Sequence, residues 1–102
     1  MKLDDTCKVL LDKSKTQKVK CYKFFQTDME RELAIHPDVD HKGVTNITDT
    51  KTGYCVCKIQ EEVSKVKQEH IDEALEKFIK HFTLEEIKAE FKRLDEKDNS
   101  NQ

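Results

Sequence analysis

The side chains best equipped for chemistry in this 102-residue chain are four cysteines, four histidines and a lysine–aromatic run. Structural zinc takes its thiolates from knuckles spaced C-x₂₋₄-C, because such a turn aims both sulfurs at one ion. Cys55 and Cys57 are separated by a single residue in a strand-like stretch, which sets both on one sheet face, as core packing would also require. Cys7 and Cys21 lie far from them in sequence and could meet each other across a hairpin. The four read as reduced, partly buried small hydrophobes. A zinc-binding domain built from Cys7, Cys21, Cys55 and Cys57 is a weaker alternative, and a Cys7–Cys21 disulfide would need an oxidising compartment.

His36, Asp38, Asp40 and His41 gather two imidazoles and two carboxylates within six residues, a mixture able to hold a divalent ion or supply a base near neutral pH. Pro37 gives this loop no predictable convergence, so solvated side chains are the plainer reading. His70 and His81 share a helix azimuth but stand about 16 Å apart along the axis, too far for one metal. With only two glycines the chain has no phosphate-cradling loop, and it has neither a nucleophile elbow nor an HExxH pair. No catalytic residues and no cofactor are expected.

Residues 1–25 carry seven Lys against three Asp, whereas residues 61–102 carry eight basic and twelve acidic side chains. In the basic end, over 13–25, Lys13, Lys15, Lys18, Lys20 and Lys23 interleave with Tyr22 and two phenylalanines, a pattern that can track phosphates and stack bases. Against it stand a net charge of −2 and the presence of only two arginines, Arg31 and Arg93. A helix-turn-helix over 68–96 fails because Glu85 and Glu86 would face the phosphates. Nucleic-acid binding is therefore the second choice.

These groups must be positioned by a small fold. At 39% charged residues the chain is unusually polar, yet its opposite charges nearly cancel and one modest core is within reach. No apolar run is long enough to span a membrane, and the first residues have no secretory pattern, so a cytoplasmic protein is expected. Residues 6–11 and 18–25 alternate as a hairpin with a polar turn at 12–16, while Leu3, Cys7, Leu10 and Leu11 also fit the spacing of a competing helix over 3–13. Thr27-Asp28-Met29-Glu30 matches a capping box and predicts a two-turn helix over 28–35, ended by Pro37. A second hairpin pairs 44–48 with 54–59 through a turn that ends in Gly53.

The strongest periodicity follows. Ile71, Leu75, Phe78 and Phe82 fall within about 60° of one helix face. Thr83-Leu84-Glu85-Glu86 then stops that helix and starts another, whose stripe is Leu84, Ile87, Phe91 and Leu94. The expected fold is α+β, with an antiparallel sheet of up to four strands in the order β-β-α-β-β-α-α. It forms one domain over 1–95 with a polar tail over 96–102.

By elimination the chain reads as a small non-enzymatic module that binds another protein, as a monomer or a homodimer. The surfaces expected to do so are the acidic helix face of Glu69, Asp72, Glu73 and Glu76 and the loop carrying Asp38, Asp40 and His41. Short, Lys/Glu-rich domains without motifs are common among accessory proteins of phages and other mobile elements, a parallel of association and not of physics.

Overall fold

A computed structural model describes residues 2–11 and 15–100, the side chains of 98–100 excepted. Residues 12–14 of the turn expected over 12–16, Lys13 among them, and the last two residues of the expected tail lie outside the described residues. Five strands come first: β1 (Asp5–Leu10), β2 (Thr16–Gln26), β3 (Arg31–Pro37), β4 (Thr45–Asp49) and β5 (Cys55–Ile59). A single 3₁₀ turn (Val63–Lys65) leads into helices α1 (Gln68–Phe82) and α2 (Leu84–Ser100). The strands form one antiparallel sheet in chain order, β1-β2-β3-β4-β5.

The class is α+β as expected, but the sheet has five strands, and the order is β-β-β-β-β-α-α. The segment expected as a helix over 28–35 is a turn followed by β3. Gln26 Oε1 accepts the Met29 amide at 2.8 Å, and Glu30 takes the left-handed conformation at φ 53° to reverse the chain. A two-turn helix would bury one face only, whereas in β3 Leu33, Ala34, Ile35 and His36 are all buried, on both sides of the sheet. Pairing with β2 and with β4 also satisfies the backbone in both directions, so burial overrides local helix propensity. Pro37 disfavours helical geometry at His36 either way, and here it closes a strand. α2 continues to Ser100, into the stretch expected as a tail.

One face of the sheet carries Leu33, Ile35, Ile47 and Ile59 against Ile71 and Leu75 of α1 and Ile87, Phe91 and Leu94 of α2. Each such side chain contributes about 1.5–3 kcal/mol on burial, so this layer carries most of the stability. Thr83 separates the helices: its Oγ1 accepts the Glu86 amide at 3.3 Å, the N-cap half of the anticipated capping box, while Glu86 Oε1 accepts from the Thr83 hydroxyl at 3.1 Å and not from its amide. α1, by contrast, starts without a hydroxyl cap. The Lys67 amide donates to His70 Nδ1 at 2.9 Å, and Ser64 sits in the preceding 3₁₀ turn.

The opposite face holds a smaller cluster of Cys7, Val9, Cys21 and Ala34, with Val19 packed on it. β2 makes this possible by serving two partners. Residues 16–21 pair with β1, and residues 22–26 pair with β3. The sheet curls until the end of β1 meets the turn between β4 and β5, where the Leu10 amide donates to the Gly53 carbonyl at 2.9 Å. β1 thereby shields residues that a flat sheet would expose.

Both central strands are buried on both faces, and β4 does this with polar side chains. Thr45 donates to the Glu61 carbonyl at 2.7 Å, and Thr48 Oγ1 lies 2.7 Å from His36 Nε2. Asp49, whose side chain is 0% exposed, accepts Arg31 Nε at 2.7 Å, Arg31 Nη2 at 2.9 Å, and Thr52 Oγ1 at 2.6 Å. The same guanidinium donates to both oxygens of Asp95 in α2, at 2.8 and 2.7 Å, and lies 4.5 Å over the Phe91 ring. These bonds raise the guanidinium pKa further and hold the Asp95 carboxyl below its ordinary range. Arg31 thus joins the sheet, the β4–β5 turn and α2.

Candidate functional site

The cysteines do not converge. Cys7 and Cys21 are diagonal neighbours beneath the curl, since Cys7 pairs with Val19 and Cys21 with Asp5. Burial raises both thiols, and a hydrogen bond to Cys7 helps push Cys21 up to about 12. Cys57 pairs with Ile47 and Cys55 with Thr48. Consecutive β4 residues point to opposite faces, so a bulge here sends the two thiols to opposite sides instead of one. Cys57 faces the helices, where burial pushes it up to about 12. Among the described residues, no group of three or more His, Cys, Asp or Glu side chains could hold a metal ion.

The loop after β3 is organised by one carboxylate. Asp38 accepts the Asp40 and His41 amides at 2.8 and 3.2 Å and Lys58 Nζ at 2.5 Å. The Lys58 ammonium, followed by the Asp40 amide, holds Asp38 well below the usual carboxylate range. Asp38 is thus used in tying the loop to β5, while Asp40 and His41 remain exposed. His36 turns inward instead: its Nδ1 donates to the Pro37 carbonyl at 2.9 Å, which leaves Nε2 to accept from Thr48. Burial keeps this ring neutral by lowering its pKa. The unfolded chain takes up that proton below about pH 6.5, so acidification favours unfolding. The urea midpoint is therefore expected to fall between pH 7.5 and 5, and a His36→Gln variant should lose that slope.

Three surfaces remain for function. The acidic positions Glu69, Asp72, Glu73 and Glu76 are exposed along α1, and Asp72 and Glu76 border a cleft of about 440 Å³ whose other wall includes Gln26 and Asp28. A second surface is an apolar groove between β5 and the two helices. Val56, Phe78, Phe82 and Ile87 line it, Glu86 and Glu90 stand at its rim, and its volume is about 360 Å³. A smaller hollow of about 190 Å³ shares Val56, Phe78, Ile87 and Glu90 and extends the surface to Tyr54. Phe82 closes the α1 stripe in sequence, yet it is 46% exposed and meets only Phe78 and His81 edge-on among the aromatic rings described.

The third surface is basic. Beside the Leu10–Gly53 contact that closes the curl, a cleft of about 510 Å³ opens between the β1–β2 hairpin and the β4–β5 turn, lined by Lys8, Lys18, Lys23 and Lys51 together with Glu32. Lys15, Lys18, Lys20 and Tyr22 are exposed, and Lys23 is half-buried, 3.6 Å from Asp5. Sequence reading found Lys18, Lys20 and Lys23 but missed Lys8 and Lys51, which only the strand register and the curl bring alongside. Comparison with protein-family models, with curated proteins and with solved structures finds no match. Among the described residues, no helix is long and apolar enough to cross a membrane.

Proposed function

We propose that this chain is a non-enzymatic module that binds another protein, with the groove beside β5 as its docking surface. The observation that supports this is the exposed Phe82 at the mouth of a groove built from Val56, Phe78 and Ile87. Aromatic anchors in such hollows commonly dominate binding energy. β5 is the last strand of the sheet, so its outer edge can also accept a partner strand. The carboxylates of Glu86 and Glu90 at the rim suit a partner whose apolar anchor is flanked by basic residues. The acidic face of Glu69, Asp72, Glu73 and Glu76 and the loop positions Asp40 and His41 add steering around it. A chain of this size acting only by binding fits an accessory or inhibitory role of the kind phages and other mobile elements employ.

The test compares partner capture by the wild type, Phe82→Glu and Lys18→Gln. Phe82→Glu is expected to weaken capture at least about tenfold while thermal stability barely moves, and Lys18→Gln should bind normally. Equal binding by wild type and Phe82→Glu removes the groove from consideration. Sedimentation of the purified chain identifies one specific occupant: a doubled mass abolished by Phe82→Glu makes it a second copy.

A further inference from the structure

We propose that the basic cleft and the strand beside it form a second, separate site that binds single-stranded nucleic acid through backbone phosphates and a stacking tyrosine. The strand register carries the argument. Lys8 stands directly opposite Lys18 across the β1–β2 ladder, and both are exposed. Like charges in directly opposed positions destabilise a sheet. Among the described residues, neither ammonium has a carboxylate within ion-pair distance. Lys20 follows Lys18 on the same face of β2, and Tyr22 and Phe24 come next.

Side chains on one strand face recur at about 6.8 Å, close to the repeat of an extended nucleic-acid backbone. β2 thus presents two ammonium groups and then an aromatic platform along one line. The Tyr22 and Phe24 rings lie 6.5 Å apart and within 20° of parallel, with Tyr22 36% exposed. The cleft, which Lys18 also lines, supplies two more cations, one of them (Lys23) from the opposite face of β2. Lys23 and Lys51 sit 3.6 and 3.3 Å from Asp5 and Asp95, exposed or partly exposed carboxylates that an incoming phosphate can replace at little loss.

The same chemistry selects the ligand. Stacking on Tyr22 requires unpaired bases, which favours a single strand over a duplex. Both arginines are engaged elsewhere, Arg31 with Asp49 and Asp95, and Arg93 with Glu90. Bidentate guanine readout is therefore missing, and binding should be largely independent of sequence. Among the described residues, no helix residue lines this cleft and α2 reaches it only through Asp95 on Lys51, so the net charge of −2 hides an end of the molecule where lysines outnumber carboxylates.

The experiment is fluorescence anisotropy at 50–200 mM salt with a labelled oligothymidylate, an oligouridylate and a DNA duplex of equal length. Vesicles containing anionic phospholipid serve as a further probe. The expected result is single-strand binding with a log K against log[salt] slope of about −2 to −3, as neutralising three to four phosphates requires. Lys8→Gln/Lys18→Gln should flatten that slope by about 1.4, with thermal stability unchanged or raised as the repulsion is relieved. Tyr22→Leu should weaken binding roughly 5- to 100-fold with the slope unchanged. A preference between the DNA and RNA strands identifies the natural ligand, and either one supports the site. Three outcomes overturn the proposal: no binding to either strand, duplex or vesicle binding as tight as single-strand binding, or indifference to Tyr22→Leu. Phe82→Glu should bind the oligonucleotides normally, which separates this site from the groove.

Discussion

Replacing Arg31 with Ala is expected to lower the unfolding free energy by about 3–5 kcal/mol, because it strands a fully buried carboxylate without its counter-charge. The Asp49 side chain has no exposed surface, and among the described residues its side-chain donors are Thr52 and Arg31. The guanidinium also holds Asp95 and covers Phe91, so its loss loosens α2 from the sheet as well as the turn from β4. Arg31→Lys should recover only part of this, since one ammonium cannot reproduce two forked contacts. Asp95→Ala should cost no more than about 1 kcal/mol, because that carboxylate is partly exposed and Arg31 keeps its other partner. Urea denaturation of the three variants at pH 7 measures the ranking. If Asp95→Ala proves as damaging as Arg31→Ala, the buried Asp49 is not the source of the effect.

Gly53→Ala is expected to cost about 2–3 kcal/mol, the sum of roughly 1–2 for a left-handed residue with a side chain and about 1 for a weakened hydrogen bond. Gly53 has φ +81°, and a Cβ there would meet the Leu10 nitrogen and the Lys8 carbonyl oxygen at 3.2 Å. Those atoms are backbone and belong to the contact that closes the curl. Gly43 is the internal control: its φ is +77°, but a Cβ would meet nothing within 4 Å. Gly43→Ala should therefore show the conformational penalty alone, about 1–2 kcal/mol. The difference between the two variants reads the closure of β1 onto the turn. Because Lys8 and Lys51 flank that contact, Gly53→Ala should also widen the basic cleft, whereas Gly43→Ala should leave it intact.

Both results depend on features of very different visibility in the sequence. The helical stripes Ile71/Leu75/Phe78 and Ile87/Phe91/Leu94, the Thr83 cap between them and the Gly53 turn could all be read directly. Each is a local pattern, in which spacing of 3.6 or 2 and one turn residue report which side of a single element is covered. β3 defeated the same reading because Leu33 to His36 are buried on both faces and so show no alternation, while Thr27 and Glu30 mimic a helix cap. β4 looked like a polar strand of a simple hairpin, and nothing local said that all five of its residues are buried.

The sites divide in the same way. The lysine–aromatic alternation of β2 and the acidic positions of α1 were legible, because they lie along one element. The separation of the cysteines, the Lys8–Lys18 opposition, the Arg31 bridge and the groove under Phe82 were not, because each joins residues far apart in sequence. By itself the sequence determined which segments are amphipathic, where the chain turns after β4 and between the helices, and that its charge is unevenly divided. Tertiary structure alone decided the fifth strand, the curl and what each surface presents, because register and closure depend on backbone pairing between distant segments.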